Sequence, residues 1–257
     1  MIYDFLKWHV GAPIVRHVLR PTVVGLERVP AQGAALLAGN HISAGDTFPV
    51  PILVRRRIYF PGKQALFTAK NPKGRLLAFI LRFAGQVPID PQGGASSHGS
   101  LGRLVAILQG GGLVGIFPEG TRSPDGRMYR FHTGVARLAL ATGAPVLPMA
   151  CCNTKLGRGF LGLPTMKDAR ITLGAPLDFR AWQGRQDDPA ALRWVSDQVA
   201  AAVQAMTSQA YVDVYANRVK SGELTPEQAE AFVIDHPGQK TPRPPTNDEL
   251  AAAGGTR

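Results

Sequence analysis

The sequence predicts an α/β fold, a single domain with a central, mostly parallel or mixed sheet flanked by helices. Three observations carry that expectation. Short apolar runs of strand length recur along the chain, segments with apolar residues at helical spacing alternate with them, and turn formers separate the two. With 257 residues, 45% of them hydrophobic, the chain has enough apolar material for one large core.

Residues 1–19 are apolar and aromatic, but Asp4, Lys7, His9, Pro13 and Arg16 interrupt them. They are too short and too charged for a membrane span, and they lack the unbroken core and cleavage site of a signal peptide. An amphipathic helix in a membrane interface fits, with Ile2, Phe5, Leu6 and Trp8 towards lipid and Lys7, Arg16 and Arg20 towards headgroups. Docking on the protein's own core is the alternative. Residues 20–235 then form the domain, and residues 236–257, rich in Pro, Gly, Thr and charge, read as a disordered tail.

Within the domain, Thr22–Leu26 is a first strand before the Pro30–Gly33 turn, and Ala34–Ala38 is a buried second one. Thr47–Val54 is helix-like and Arg55–Arg57 a solvated helix end, with lipid phosphate as a second reading for the arginines. Ile58–Phe60 is a short strand that delivers Lys63. Leu76–Phe83 is apolar on nearly every side of a helix, so it is either buried or dips into lipid. Gln86–Asp90 is a strand, and Leu101, Leu104, Val105 and Leu108 mark a helix that stops at Gly110. Leu113–Phe117 reads as a central strand. Thr133 caps a helix through Leu140 that Gly143 ends, and Pro145–Ala150 is another strand. Gly157-Arg158-Gly159-Phe160-Leu161-Gly162 spells a nucleotide-binding loop, yet Leu163-Pro164 and the strand Arg170–Leu173 follow where a helix is required. Asp188-Pro189 opens a long Ala-rich helix towards Lys220, and Thr225–Gln228 is a capping box for a last short helix.

The chemistry centres on Gly39–Asp46, which places His41 and Asp46 five positions apart among small neighbours. On a regular helix they would lie about 140° apart, so a turn through Ser43-Ala44-Gly45 is needed to bring them together. A carboxylate on Nδ1 fixes the imidazole tautomer and leaves Nε2 free to take a proton from a hydroxyl. In a chain of this composition such a pair is expected by chance about 0.3 times, so the pair alone favours a structural helix cap over catalysis. The loop Phe117–Ser123 adds Gly120, two hydroxyls and Arg122 at a strand end, a set suited to a phosphate, although a surface turn has the same spelling.

The formal net charge of +11 implies an anionic partner, whether lipid, phosphorylated small molecule or nucleic acid. Cys151 and Cys152, the only cysteines, are adjacent and are expected to be reduced, which suits the cytoplasmic face of a membrane. No His/Cys cluster has metal spacing, so no metal is implied.

Taken together, Asn40-His41 with Asp46, the loop Phe117–Ser123 about 70 residues later, and Val146-Leu147-Pro148 resemble the glycerolipid acyltransferases, the lysophospholipid acyltransferase family. The resemblance covers roughly residues 20–180. It implies that His41 is the catalytic base and Asp46 its orienter, that Glu119, Gly120, Thr121 and Arg122 bind the acceptor with Arg122 on its phosphate, and that Lys63 also reaches the phosphate. One departure matters: Asp90 is followed by Pro91, where the family's second motif ends in arginine. Either Lys63 and Arg122 carry the phosphate with Arg130 or Arg103 assisting, or the acceptor is not simple lysophosphatidate.

The activity so implied is transfer of a fatty acyl group from an acyl thioester to a free hydroxyl of lysophosphatidic acid, giving phosphatidic acid in phospholipid biosynthesis. Acyl-CoA or acyl carrier protein is the co-substrate, no other cofactor is implied, and the partners are the lipid acceptor and an anionic membrane surface rather than nucleic acid. Neither a G-x-S-x-G elbow nor a cysteine beside a histidine motif is present, so transfer without an acyl-enzyme is expected. Other acceptors (glycerol 3-phosphate, another lysophospholipid, a glycolipid), hydrolysis by the same dyad, and a non-catalytic basic membrane- or nucleic-acid-binding protein are the alternative readings.

Overall fold

The computed structural model describes residues 2–68, 71–83, 85–89, 96–159 and 164–254. A seven-stranded sheet runs through it. In spatial order it comprises β1 (Thr22–Val24), β10 (Arg170–Leu173), β7 (Val146–Cys152), β2 (Ala35–Gly39), β5 (Leu113–Ile116), β3 (Ile58–Lys63) and β4 (Gln86–Ile89). From β7 to β4 all neighbours are parallel, while β10 is antiparallel to β7 and carries β1 parallel to itself. The sheet is therefore mixed with a parallel centre, the architecture expected from the apolar runs.

Why β2 reads as an unbroken apolar run follows from its place. Leu36 and Ala38 face one side of the sheet and Ala35 and Leu37 the other, and both sides are covered. On the first side pack three helices, α4 (Ser96–Gln109), α5 (Gly134–Thr142) and α6 (Pro189–Gln204), with Leu104, Leu108, Val135, Leu138, Val195 and Val199 fully buried or nearly so. On the second side Val50 of the short α2 (Pro49–Leu53) joins Ile58, Leu113, Leu147 and Ile171. α3 (Pro72–Phe83) buries Ala78 and exposes Phe79, whereas the side chains of Leu76, Leu77, Ile80 and Phe83 lie outside what is described.

Five sequence expectations change. The helix from Asp188 does not run to Lys220. It ends at Gln204, and the chain then pairs β11 (Tyr211–Val212) between β6 (Met128–Tyr129) and β12 (Val233–Ile234), leaving α7 (Ala216–Lys220) and α8 (Pro226–Ala229) as separate short helices. Buried Tyr129, Val212, Val214 and Val219 form the small core that this arrangement needs. Gly157 lies in β8 (Leu156–Arg158), which pairs antiparallel with β9 (Pro164–Met166), and Gly159 follows β8, while residues 160–163, Gly162 among them, lie outside the described residues. Thr133 precedes α5 but makes no side-chain cap, while Gly143 does end it in the left-handed conformation.

Another correction lies within residues 1–19. They are helical, α1 (Ile2–Leu6) followed by widened turns over Lys7–Gly11 and Ile14–Leu19. Ala12, Val15 and Leu19 are buried, and Ile2, Phe5, Leu6, Val10 and Ile14 are exposed. Lys7, assigned above to headgroups, points inward instead. Its ammonium donates to the Val54 carbonyl and, at 3.2 Å, to that of Arg56, just past the C-terminus of α2. Arg16 and Arg20 remain exposed.

Two arginines of the run are likewise structural, while Arg55 is exposed as expected of a solvated end. Arg56 donates to the carbonyls of Pro30, Gly33 and Gly111, and Arg57 to that of Arg82 at 2.8 Å.

Lastly, the stretch from 236 to 254 is ordered against α6 rather than disordered. Thr241 Oγ1 donates to Asp197 at 2.7 Å, the Trp182 indole N–H to the Pro244 carbonyl at 3.0 Å, and the Arg243 guanidinium lies 5.4 Å from the Trp182 ring. α9 (Asn247–Gly254) follows. The low apolar content that suggested disorder is offset here by hydrogen bonds to partners more than 40 residues away in the chain. Deleting residues 237–257 is therefore expected to lower the Tm and shift tryptophan emission to the red, as Trp182 meets water. An unchanged melting curve and spectrum would mean that the stretch contributes nothing to the fold.

Candidate active site

The carboxyl ends of the parallel strands gather the site, the position where open α/β sheets place their ligands. His41 follows β2, Glu119 to Ser123 follow β5, Thr154 follows β7, and Lys63 is the last residue of β3. The Lys63 side chain, Asp90 and Pro91 lie outside the described residues.

At the end of β2 the chain turns through Ser43-Ala44-Gly45 as the His41–Asp46 pairing demands. Ser43 Oγ accepts the Gly45 N–H at 2.9 Å, and a short tight helix over Ala44–Thr47 carries Asp46 back beneath His41. His41 Nδ1 and Asp46 Oδ2 lie 2.8 Å apart. The same Oδ2 accepts the N–H groups of Ile42 at 2.7 Å and Ser43 at 2.8 Å, and Oδ1 accepts the Thr154 hydroxyl. With donors on both oxygens the carboxylate acts as an acceptor only, so the proton between Nδ1 and Oδ2 belongs to Nδ1 and Nε2 holds the free lone pair. Phe117 stacks on the imidazole, centroids 4.3 Å apart, and fixes its plane.

Thr154, 108 residues from Asp46, is a site residue that sequence reasoning missed. Its approach depends on Gly45, because a Cβ at that position would lie 2.0 Å from the Thr154 carbonyl oxygen. Asn40 anchors the other side of the turn. Its amide donates to the Cys151 carbonyl at 2.9 Å, and its oxygen accepts the Cys151 N–H at 2.7 Å. Burial pushes the Cys151 thiol well up, which leaves it a poor nucleophile.

The loop after β5 is clamped onto His41 at two points. The His41 N–H donates to Glu119 Oε1 at 2.8 Å, and the Ser123 N–H donates to the His41 carbonyl at 2.7 Å. Glu119 is fully buried, and its second oxygen accepts the Tyr129 N–H at 3.2 Å. Both oxygens face backbone, so within the protein Glu119 ties three chain segments together. Gly120 has φ +73°, and a Cβ there would meet the His132 ring at 3.1 Å. Arg122 is exposed and has no protein partner among the described residues. Thr121 accepts a hydrogen bond from Lys220 Nζ at 2.6 Å, a contact the sequence did not signal. Of the two assisting arginines, Arg130 sits 3.6 Å from Asp213, and Arg103 is exposed on α4. Among the described residues no group of His, Cys, Asp or Glu is placed to hold a metal ion, and no helix is long and apolar enough to cross a membrane.

Burial pushes the Glu119 carboxyl up to about 8, with nearby Asp46 adding to the shift against two backbone N–H bonds. A carboxyl whose pKa is higher folded than unfolded takes up a proton on folding, so its contribution to stability is complete at pH below the unfolded value and is lost as pH rises towards 8. The stability advantage of the native protein over Glu119→Gln is accordingly expected to be largest near pH 5 and to shrink towards pH 8 in denaturant titrations. A difference that stays constant with pH would contradict this.

Comparison with known proteins adds the following. The Acyltransferase family model matches residues 20–152. The 1-acyl-sn-glycerol-3-phosphate acyltransferase of Borreliella burgdorferi is 28% identical over 149 residues, covering 57% of this chain and 54% of the relative. That of Haemophilus influenzae is 26% identical over 121 residues, 47% of this chain and 48% of the relative. The chain thus spans about half the length of the curated relatives it matches. In structure it is similar to the 1-acyl-sn-glycerophosphate acyltransferase PlsC of Thermotoga maritima, with a TM-score of 0.53, 21% identity, and coverage of 81% of this chain and 79% of that one. At that identity the likeness is one of fold.

Proposed function

Since this chain belongs to the Acyltransferase family, we propose that it moves a fatty acyl group from an acyl thioester to the free hydroxyl of lysophosphatidic acid, giving phosphatidic acid. The observation that supports this reading is the double clamp between His41 and the Glu119–Ser123 loop, which holds an imidazole and an arginine-bearing loop at neighbouring strand ends.

In the proposed reaction Arg122 and Lys63 hold the acceptor phosphate, and the glycerol hydroxyl lies against Nε2 of His41. As the hydroxyl oxygen attacks the thioester carbon, its proton passes to Nε2, and the resulting imidazolium is stabilised by Asp46. Collapse of the tetrahedral intermediate breaks the C–S bond, and the departing thiolate takes the proton back. A base positioned in this way contributes about 10² to 10⁴ in rate. Fixing two substrates against one another supplies much of the remainder. Thr154 and the backbone N–H groups of Ile42 and Ser43 keep Asp46 in place for this, and Glu119 acts by holding the loop rather than by touching phosphate.

We place the enzyme at the cytoplasmic face of a membrane, as a peripheral protein. The exposed apolar side of the N-terminal helix, with Phe5 at 60% of its surface in solvent, supports that reading, as do the net charge of +11 and an acceptor that itself resides in lipid.

The test is a reaction with labelled acyl-CoA and lysophosphatidic acid, the lipid product read by mass spectrometry. Phosphatidic acid is expected from the native protein, and His41→Ala is expected to lose about 10² to 10⁴ of the rate with its circular dichroism unchanged. A folded His41→Ala protein of full activity would exclude the mechanism, and free fatty acid without acylated lipid would exclude the transferase reading.

A further inference from the structure

Residues 205–235 lie beyond the stretch that the family model matches, yet they reach the candidate site. β11 pairs parallel with β6, Tyr211 opposite Met128, and Ala216 and Val219 of α7 pack with Tyr129 and Val212. This seats the last residue of α7, Lys220, beside the Glu119–Ser123 loop, where its ammonium donates to Thr121 Oγ1 at 2.6 Å.

The charges nearby are unevenly matched. Arg127 is paired with Asp125 and Glu230, Arg130 with Asp213, Arg193 with Asp197 and Arg218 with Glu223. Lys220 and Arg122 are both exposed, and neither has a carboxylate partner among the described residues. They flank Thr121 from either side, one by sequence and one by the fold. An ammonium has three protons to donate, and Lys220 commits one of them to Thr121. The uncompensated charge is of the size that a phosphomonoester, carrying about −1.5 to −2 at pH 7, would neutralise.

We propose that Lys220 is a specificity-determining residue that, together with Arg122, selects an acceptor bearing a phosphomonoester over one whose phosphate is a zwitterionic diester. The proposal rests on the acceptor class proposed above and adds the residue that discriminates within it. A purely structural role, holding Thr121 in place, is the competing account, and glutamine separates the two because it keeps a donor for Thr121 while losing the charge.

Binding is measured by equilibrium titration of octanoyl lysophosphatidic acid, below its micelle concentration, and of octanoyl lysophosphatidylcholine. For Lys220→Gln the lysophosphatidic acid is expected to bind about tenfold more weakly, for Lys220→Arg within about twofold of native, and the choline lipid is expected to change little. Native binding of lysophosphatidic acid by Lys220→Gln, or an equal loss for both lipids, would overturn the assignment of Lys220 and leave the proposed activity intact. Failure of the native protein to bind lysophosphatidic acid would overturn both.

Discussion

Asp46 is 1% exposed, and a carboxylate taken that far out of water costs on the order of several kcal/mol unless donors replace its hydration. Here four donors do so, the His41 ring N–H, the N–H groups of Ile42 and Ser43, and the Thr154 hydroxyl. The turn that carries His41 cannot relax without stranding that charge. The requirement also reaches across the sheet, since Thr154 must come close and only a glycine at position 45 leaves it room. A second carboxyl, Glu119, lies close enough to feel the first and is pushed up by burial and by that neighbour. The site thus holds two carboxyls in different environments, one surrounded by donors and one desolvated between backbone segments.

From this constraint the rest of the arrangement follows. Parallel strands from β7 to β4 present their carboxyl ends to one side, so a histidine, a hydroxyl and an arginine-bearing loop from distant parts of the sequence arrive together. Helices on one face and the short α2 on the other supply the apolar cover that lets β2 and β5 be hydrophobic on both sides. What remains in solvent at the loop is positive charge, on Arg122 and Lys220, and what remains in solvent at the N-terminus is apolar surface on Phe5, Leu6 and Val10. Both suit a protein that meets an anionic, amphiphilic substrate at a lipid surface.

The sequence disclosed what is local. The His41–Asp46 turn spans five residues and its glycine and serine are turn formers, so its geometry was legible, as were the strands around it, whose apolar runs are continuous because both faces are buried. Contacts set by topology were not legible. Nothing in residues 150–156 marks Thr154 as the partner of Asp46, and the helical pattern from Asp188 continued past Gln204 because alanine suits a helix whether or not the chain forms one. Lys7 sits among aromatic residues in a pattern that also describes an interfacial helix, and its inward turn is set by the carbonyls of Val54 and Arg56, 47 and 49 residues away in the chain. The C-terminal stretch misled for a related reason, since low hydrophobicity predicts disorder, whereas Pro244 and Thr241 are held by hydrogen bonds to buried partners.

At the centre of the account is an imidazole whose proton is fixed on Nδ1 by Asp46, leaving Nε2 open. Nitrogen-15 NMR of the protein labelled in histidine reads that tautomer directly. For the neutral His41 ring the account requires a protonated Nδ1 coupled to a downfield proton in a strong hydrogen bond, and an unprotonated Nε2. A neutral His41 carrying its proton on Nε2 would contradict it, because the lone pair of such a ring lies on Nδ1 against Asp46 and none is left at Nε2 to receive the proton of a substrate hydroxyl.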